Sequence, residues 1–325
     1  MIIRPRRNRK SEAIRSLVRE NTLDPSDFIN PMFIIDGSKT KTEIASMPGI
    51  FRMTPDLALE ECRQLLDLGV QAVALFPALE DSKKDRMATE SHNPAGFYQK
   101  TIALIKKELP GMVVISDVAM DPYSSDGHDG IVSPEGEILN DSTLVVLGKM
   151  AVSQAEAGAD IVAPSDMMDG RVGYIRNQLD LAGFENTSIL SYSAKYASYF
   201  YGPFRDALSS APKMGDKKTY QMDFSNAREA LREVELDIEE GADMVMVKPG
   251  LPYLDVLRAV SEISNVPVAV YNVSGEYAML RAAAEKGWLD YQKAVLEALL
   301  SFKRAGADMI LTYHAKEAAE WLKSK

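Results

Sequence analysis

The chain has 325 residues, 46% of them hydrophobic, and sets 37 lysines and arginines against 47 aspartates and glutamates for a formal net charge of −10. That length and apolar content suffice for two domains or one large barrel, while the acidic balance disfavours a general nucleic-acid or anionic-membrane partner. No apolar run approaches the ~20 residues of a transmembrane helix and no signal-peptide core is seen, so a cytoplasmic or plastid-like soluble compartment is expected, and the single cysteine, Cys62, excludes an intrachain disulfide or a thiolate cage.

In chain order, the first feature is a basic cluster, Arg4, Arg6, Arg7, Arg9 and Lys10. Five charges ahead of an acidic body make a weak case for a nucleic-acid tail. Apolar runs then recur at "FINPMFI" (28–34), "DLGVQAVALFPA" (67–78), "MVVISDV" (112–118), "EAGADIVAPSD" (156–166), "SILSYS" (188–193), "EEGADMVMVKPG" (239–250), "PVAVYN" (267–272) and "RAGADMILTYHA" (304–315). The second, fourth, sixth and eighth share one pattern: a helix ending at a glycine cap, a short turn, then a buried parallel strand. Segments between the runs carry helical periodicity, as in "SNAREALREVELDIEE" and "PYLDVLRAVSEIS". Eight alternating strand and helix units predict a (β/α)8 TIM barrel over residues 26–325. A doubly wound sheet is the alternative, but no glycine fingerprint stands at the first strand–helix turn. Cys62, in the amphipathic "LALEECRQLLDLG", is expected to be a packed helix cysteine.

Barrels place their chemistry at the carboxyl ends of the strands. Here those ends carry Phe76, Asp117, Ser165 with Asp166, Lys195, Lys248, Tyr271 with Ser274, and Tyr313. Serine and aspartate suit any loop, but lysines on successive strand ends do not, because an ammonium is costly to bury. An amine attacks a carbonyl only when unprotonated, and neighbouring ammonium groups at one mouth depress each other's pKa. The pair, with Asp117 and Ser165, predicts Schiff-base chemistry. The segment 199–223 then reads as a glycine-, proline- and lysine-rich loop ahead of a helix starting near Ser225. Loops of that length are commonly lids, and Arg205, Lys213, Lys217 and Lys218 offer cations for substrate carboxylates.

These motifs resemble a known family. "GADMVMVKPG" around Lys248, "SYSAKYASYFYGPFRDA" around Lys195, "APSDMMDGRV" at 163–172, "KTYQMD" at 218–223 and "VSGEY" at 273–277 are similar to porphobilinogen synthase, also called 5-aminolevulinate dehydratase, over nearly the whole chain. The resemblance implies a lyase that condenses two 5-aminolevulinate molecules into porphobilinogen on the route to haem and chlorophyll. It implies Lys248 as the Schiff-base lysine of the propionyl-side substrate and Lys195 as that of the acetyl side. It also assigns Arg205, Lys217 and Gln221 to one substrate carboxylate, Ser274 and Tyr313 to the other, and Tyr271 and Phe204 to the walls beside Asp117 and Ser165. Lysine at 217, where many relatives carry arginine, keeps the charge without the bidentate geometry.

In one branch of the family the positions matching Ala119, Asp121 and Asp129 are cysteines on a catalytic zinc. Without a thiol, no tightly bound catalytic zinc is expected. Asp121 and Asp129 suit a weak Mg²⁺ or monovalent ion, or are turn residues of "DVAMDPYSSDGHDG", in which His128 reads as a solvated side chain. Glu233 reads from periodicity as a helix-surface carboxylate near Arg228 and Arg232; the resemblance implies that it belongs to an allosteric, activating Mg²⁺ site. It likewise implies that residues 1–25 are an arm that embraces a neighbouring subunit in a homo-octamer. Two other readings fit part of the pattern: a class I aldolase, which needs one lysine, and a non-catalytic barrel, which needs neither.

Overall fold

Continuous apolar runs bounded by glycine caps become the strands of a closed parallel sheet. The structure is a computed structural model and describes residues 1–208 and 212–324. Its strands are β1 (Phe28–Ile34), β2 (Lys41–Glu43), β3 (Phe51–Met53), β4 (Ala72–Pro77), β5 (Val113–Val118), β6 (Ile161–Pro164), β7 (Ser188–Lys195), β8 (Met244–Lys248), β9 (Val268–Asn272) and β10 (Met309–Thr312). The order β10-β9-β8-β7-β6-β5-β4-β1 closes through a β10–β1 pairing, and every pairing around that ring is parallel. Helices lie between successive strands, so the (β/α)8 barrel is the fold. Each of the eight expected apolar runs supplies one barrel strand. β2 and β3 form a small antiparallel hairpin beside β1 that the sequence reading did not anticipate.

The repeated glycine caps are real. Gly158, Gly241 and Gly306 have φ of +102°, +105° and +107°, a region closed to side chains with a Cβ, and each turns its helix into the strand that follows. Alternation then sorts the side chains. Ile29, Phe33, Phe76, Ile115, Leu190, Tyr192, Met246, Tyr271 and Leu311 fill the barrel interior, while Phe28, Met32, Val73, Val114, Val162, Ile189, Val245 and Val270 pack beneath the helices. Cys62 sits in that outer layer, buried, and burial pushes its thiol pKa up to about 12. It is the inert packed thiol its helix pattern suggests.

The register contains one deviation that matters. Ser191 pairs with Val245 and Ala194 with Val247, so β7 holds an extra residue between those pairs. Leu190 and Tyr192 face inward, but Ala194 faces the helices; the bulge inverts the alternation and turns Lys195 inward, opposite Lys248. The bulge is anchored from behind. Ser191 Oγ donates to Asp237 at 2.7 Å, and buried Arg171 holds both Asp237 oxygens at 2.9 and 3.0 Å.

Two expectations need correction. The segment 199–223 is not all loop: Tyr199–Tyr201 is a 3-10 turn and Gly202–Leu208 an α-helix, with Pro203 in its first turn, where proline is compatible with helix. Residues 209–211 of the expected lid lie outside the described residues. The next helix is Arg228–Glu239, slightly later than Ser225. Ahead of the barrel, Pro5–Arg9 and Glu12–Leu17 form short helical turns with no buried residue.

Candidate active site

Lys248 ends β8 and Lys195 ends β7, in register with each other and exposed by only 5% and 6%. Lys195 Nζ donates to the backbone oxygen of Ser165, at the end of β6. Around Lys248 Nζ stand four aromatic rings, Tyr271 at 4.5 Å, Tyr192 at 5.0 Å, and Tyr201 and Phe204 each at 5.1 Å from the centroid. Burial among these rings, then the positive charge of Lys195, lowers the pKa of Lys248 to about 7. About half of the amine is therefore uncharged near neutrality. The same rings favour a cation at van der Waals range, so they suit a protonated imine as well as the amine that precedes it.

Asp117, on β5, accepts from Ser165 Oγ at 2.8 Å. Burial and then the charge of Asp121 raise its pKa to about 7, against the pull of Ser165, Lys195 and Lys248. An acid and an amine that both titrate near neutrality can exchange protons with a bound ketone and its adducts. Behind them, Gln154 fixes the strand by donating to the Asp117 backbone oxygen at 2.8 Å.

The remaining expected residues fall in several places. Tyr271 and Tyr313 share a hydroxyl–hydroxyl hydrogen bond of 2.8 Å at the mouth. Phe204 packs edge-on to Phe76 at 5.3 Å, and its backbone N–H donates to Ser274 Oγ at 3.0 Å, which draws the helix Gly202–Leu208 onto the start of the helix Ser274–Glu285. Arg205 is half-buried on the former helix, and Gln221 is buried with its Oε1 lacking a partner among the described residues. Lys213 and Lys218 are exposed, with Lys218 paired to Asp216.

Lys217 is placed differently. Its buried ammonium lies 3.1 Å from Asp121 and 2.9 Å from Asp129. Both aspartates are buried, so they are more than turn residues. Burial raises both pKa values, but for Asp129 the charges of Lys217 and Lys195 prevail and hold it at about 2, while burial and the charge of Asp129 keep that of Asp121 raised. The shared site therefore holds one cation already. No group of three His, Cys, Asp or Glu side chains suited to a metal occurs among the described residues, and the donor set around Asp121 and Asp129 does not fit a divalent ion while Lys217 occupies it. His128 is not solvated as the sequence suggested; it is buried, bonded to Met214 O at 2.8 Å and Tyr220 Oη at 3.1 Å. It thereby ties the loop after β5 to the segment around Met214 and Tyr220.

Glu233 stands apart from the lysines. It is half-buried and lines a recess of about 290 Å³ with Asp169, Asp223 and Glu229, and burial raises its pKa. Sequence reasoning missed Tyr192 and Tyr201 around Lys248, and Arg52, which donates to the backbone oxygens of Asp206 and Ala207 and pins the end of the helix Gly202–Leu208. Only the inward alternation of "SILSYS" hinted at Tyr192.

The family model described as delta-aminolevulinic acid dehydratase matches residues 2–321. The chain belongs to the delta-aminolevulinic acid dehydratase family. It is 57% identical to the chloroplastic delta-aminolevulinic acid dehydratase of Chlamydomonas reinhardtii, over 98% of this chain and 84% of the relative. It is 55% identical to the enzyme of Bradyrhizobium diazoefficiens, over 100% and 92%. The structure of the Toxoplasma gondii dehydratase, or porphobilinogen synthase, in complex with the product porphobilinogen superimposes with a TM-score of 0.98 at 54% identity, over 100% of this chain and 93% of that one. The activity of a delta-aminolevulinic acid dehydratase is a lyase reaction, the condensation and dehydration of two 5-aminolevulinate molecules to porphobilinogen, and it is the activity of this chain. No helix among the described residues is long and apolar enough to cross a membrane.

Proposed function

We propose that Lys248 and Lys195 are the two imine-forming amines of this condensation, Lys248 for the propionyl-side 5-aminolevulinate and Lys195 for the acetyl-side one. The observation that carries the reading is the pairing of two inward lysines in register at one buried mouth, one of them enclosed by four rings. The uncharged amine adds to the keto carbon; the resulting carbinolamine takes a proton on its hydroxyl and loses water to leave the C=N bond. Asp117, with Ser165 donating to it, is the proton carrier for those steps and for later proton removal from carbon. Tyr313 and Ser274 receive one substrate carboxylate; Arg205 and Gln221 receive the other, with the ammonium of Lys217 behind them.

Mg²⁺ acts in this reading as an activator beside Glu233, in a recess where Asp169, Asp223 and Glu229 are too dispersed to ligate an ion directly and would meet it through its water shell. Asp121, Asp129 and Lys217 form an internal ion pair in place of a catalytic zinc. The exposed basic turns of residues 1–25 dock on a second acidic copy of the chain, building a homo-octamer. Deletion of residues 1–20 is expected to yield a smaller assembly by light scattering; an unchanged mass refutes that role.

The test is borohydride reduction in the presence of 5-aminolevulinate, with the adducts located by peptide mass mapping, beside porphobilinogen formation after chelation and after Mg²⁺ or Zn²⁺ is restored. Adducts at both lysines and product that rises with Mg²⁺ alone are expected. An adduct confined to Lys248, with turnover surviving Lys195→Met, would point instead to aldolase-type chemistry on one lysine.

A further inference from the structure

Glu276 is the third residue of the helix Ser274–Glu285 and is 0% exposed. No lysine, arginine or histidine pairs with it among the described residues. Three backbone donors converge on it, with the Asn272 side chain beside them: Oε2 accepts from Gly250 N at 3.2 Å and from Val273 N at 2.7 Å, and Oε1 accepts from Leu251 N. Burial raises its pKa to about 7 against those donors. A buried carboxyl without a cation is destabilising, and an apolar helix residue would avoid that penalty. Three converging N–H donors match a group that only accepts, whereas an amide would turn its own N–H groups toward one of them.

The donors come from the two turns that frame the chemistry. Gly250 and Leu251 follow Lys248 directly, and Val273 precedes Ser274. The first turn is seated tightly, since a Cβ at Gly250 would lie 2.6 Å from Phe302 Cε1 and 3.2 Å from Tyr271 O. The second carries Ser274, whose Oγ accepts from Phe204 N and donates to Phe200 O at 3.4 Å. Lys195 has a hold that Lys248 lacks, at Ser165 O, although the two backbones meet where Tyr196 N donates to Lys248 O at 3.0 Å.

We propose that Glu276 is a positioning residue of this reaction: by clamping the backbone behind Lys248 to the turn ahead of Ser274, it sets the distance between the imine-forming amine and the hydroxyl that receives the substrate carboxylate. The inference rests on the roles proposed above for Lys248 and Ser274. In Glu276→Gln the clamp is mismatched while the contact of Lys195 with Ser165 O is untouched, so the loss falls mainly on Lys248. Borohydride adduct formation at Lys248 falls about 100-fold, the scale of an ångström misplacement, and adduct formation at Lys195 in the same sample stays within about twofold. KM for 5-aminolevulinate rises as well, because Ser274 moves with the clamp. Glu276→Asp, which keeps the charge but withdraws it by one methylene, is read in the same way and carries the test if the glutamine variant does not fold. A folded variant with wild-type adduct rates, or with equal loss at both lysines, overturns the proposal. Wild-type protein that formed no adduct at Lys248 would overturn the function proposed for that lysine, and this inference with it.

Discussion

Replacing Lys195 by methionine separates the two causes that lower the Lys248 pKa. The side chains leave in-register positions on adjacent strands, whose backbones run ~4.8 Å apart, and parallel side chains keep their ends at about that spacing. Two unit charges ~5 Å apart in an effective dielectric of ~20 repel by about 3 kcal/mol, or about 2 pKa units at 1.36 kcal/mol per unit. Burial ranks ahead of this repulsion in setting the value of about 7, so Lys195→Met is expected to raise the Lys248 pKa by between one and two units while leaving it below 10.5. The sign follows from charge: removing a neighbouring cation makes protonation easier. At pH 7 the free-amine fraction then falls from about a half to between about a tenth and a hundredth.

The assay is the initial rate of borohydride adduct formation at Lys248 with 5-aminolevulinate across pH 5.5 to 10, with Lys248→Met as blank; turnover is not needed, so loss of product in the variant does not obscure the reading. The wild-type rate is expected to rise with pH through about 7, and the variant's rise to occur one to two units higher. A rise unmoved within about 0.3 units would mean that the rings alone set the pKa, and a rise moved to lower pH would refute the electrostatic argument.

Lys217→Met leaves Asp121 and Asp129 buried without their cation, which is expected to lower stability by about 3–5 kcal/mol in chemical denaturation. Their folded-state pKa values then rise above 3.8, so the penalty is absent below about that pH and grows as pH rises through the raised values; millimolar Mg²⁺ is expected to restore part of the loss by taking the vacated place. Gly275→Ala puts a Cβ 2.5 Å from Phe200 O, which pushes the lid away from Ser274: KM for 5-aminolevulinate rises several-fold with a stability loss of about 1–3 kcal/mol, and a wild-type KM would show that the lid does not rest there. Asp117→Asn removes the proposed proton carrier and is expected to lower kcat by about 10²–10⁴-fold, with circular dichroism checking the fold; a kcat within tenfold of wild type would assign the proton transfers elsewhere.

The barrel was legible because a parallel strand buried on both faces is a continuous apolar run, and because the glycine caps at 158, 241 and 306 mark where each preceding helix must stop. Lys248 was legible for the same reason, as a charge ending such a run. The inward direction of Lys195 was not. It depends on the extra residue between Ser191 and Ala194, and strict alternation from Leu190 and Tyr192 would have sent Lys195 toward the helices. What stabilises that bulge is Asp237, 46 residues from Ser191, together with Arg171, 20 residues before Ser191, which bonds both Asp237 and Ser191 Oγ. The β2–β3 hairpin has three-residue strands, too short for any periodic signal, and the helix at Gly202 opens on a Gly-Pro pair that reads as a turn. The partners of Lys217 and the place of Glu276 were hidden for a deeper reason. One ammonium meets carboxylates 96 and 88 residues away, and one carboxylate meets backbone donors 25 and 26 residues away, which no residue type announces. Local sequence therefore predicts what sits on each strand end. Closure of the barrel decides which groups share a charge or a proton, so the lysine pair could be named before its partners.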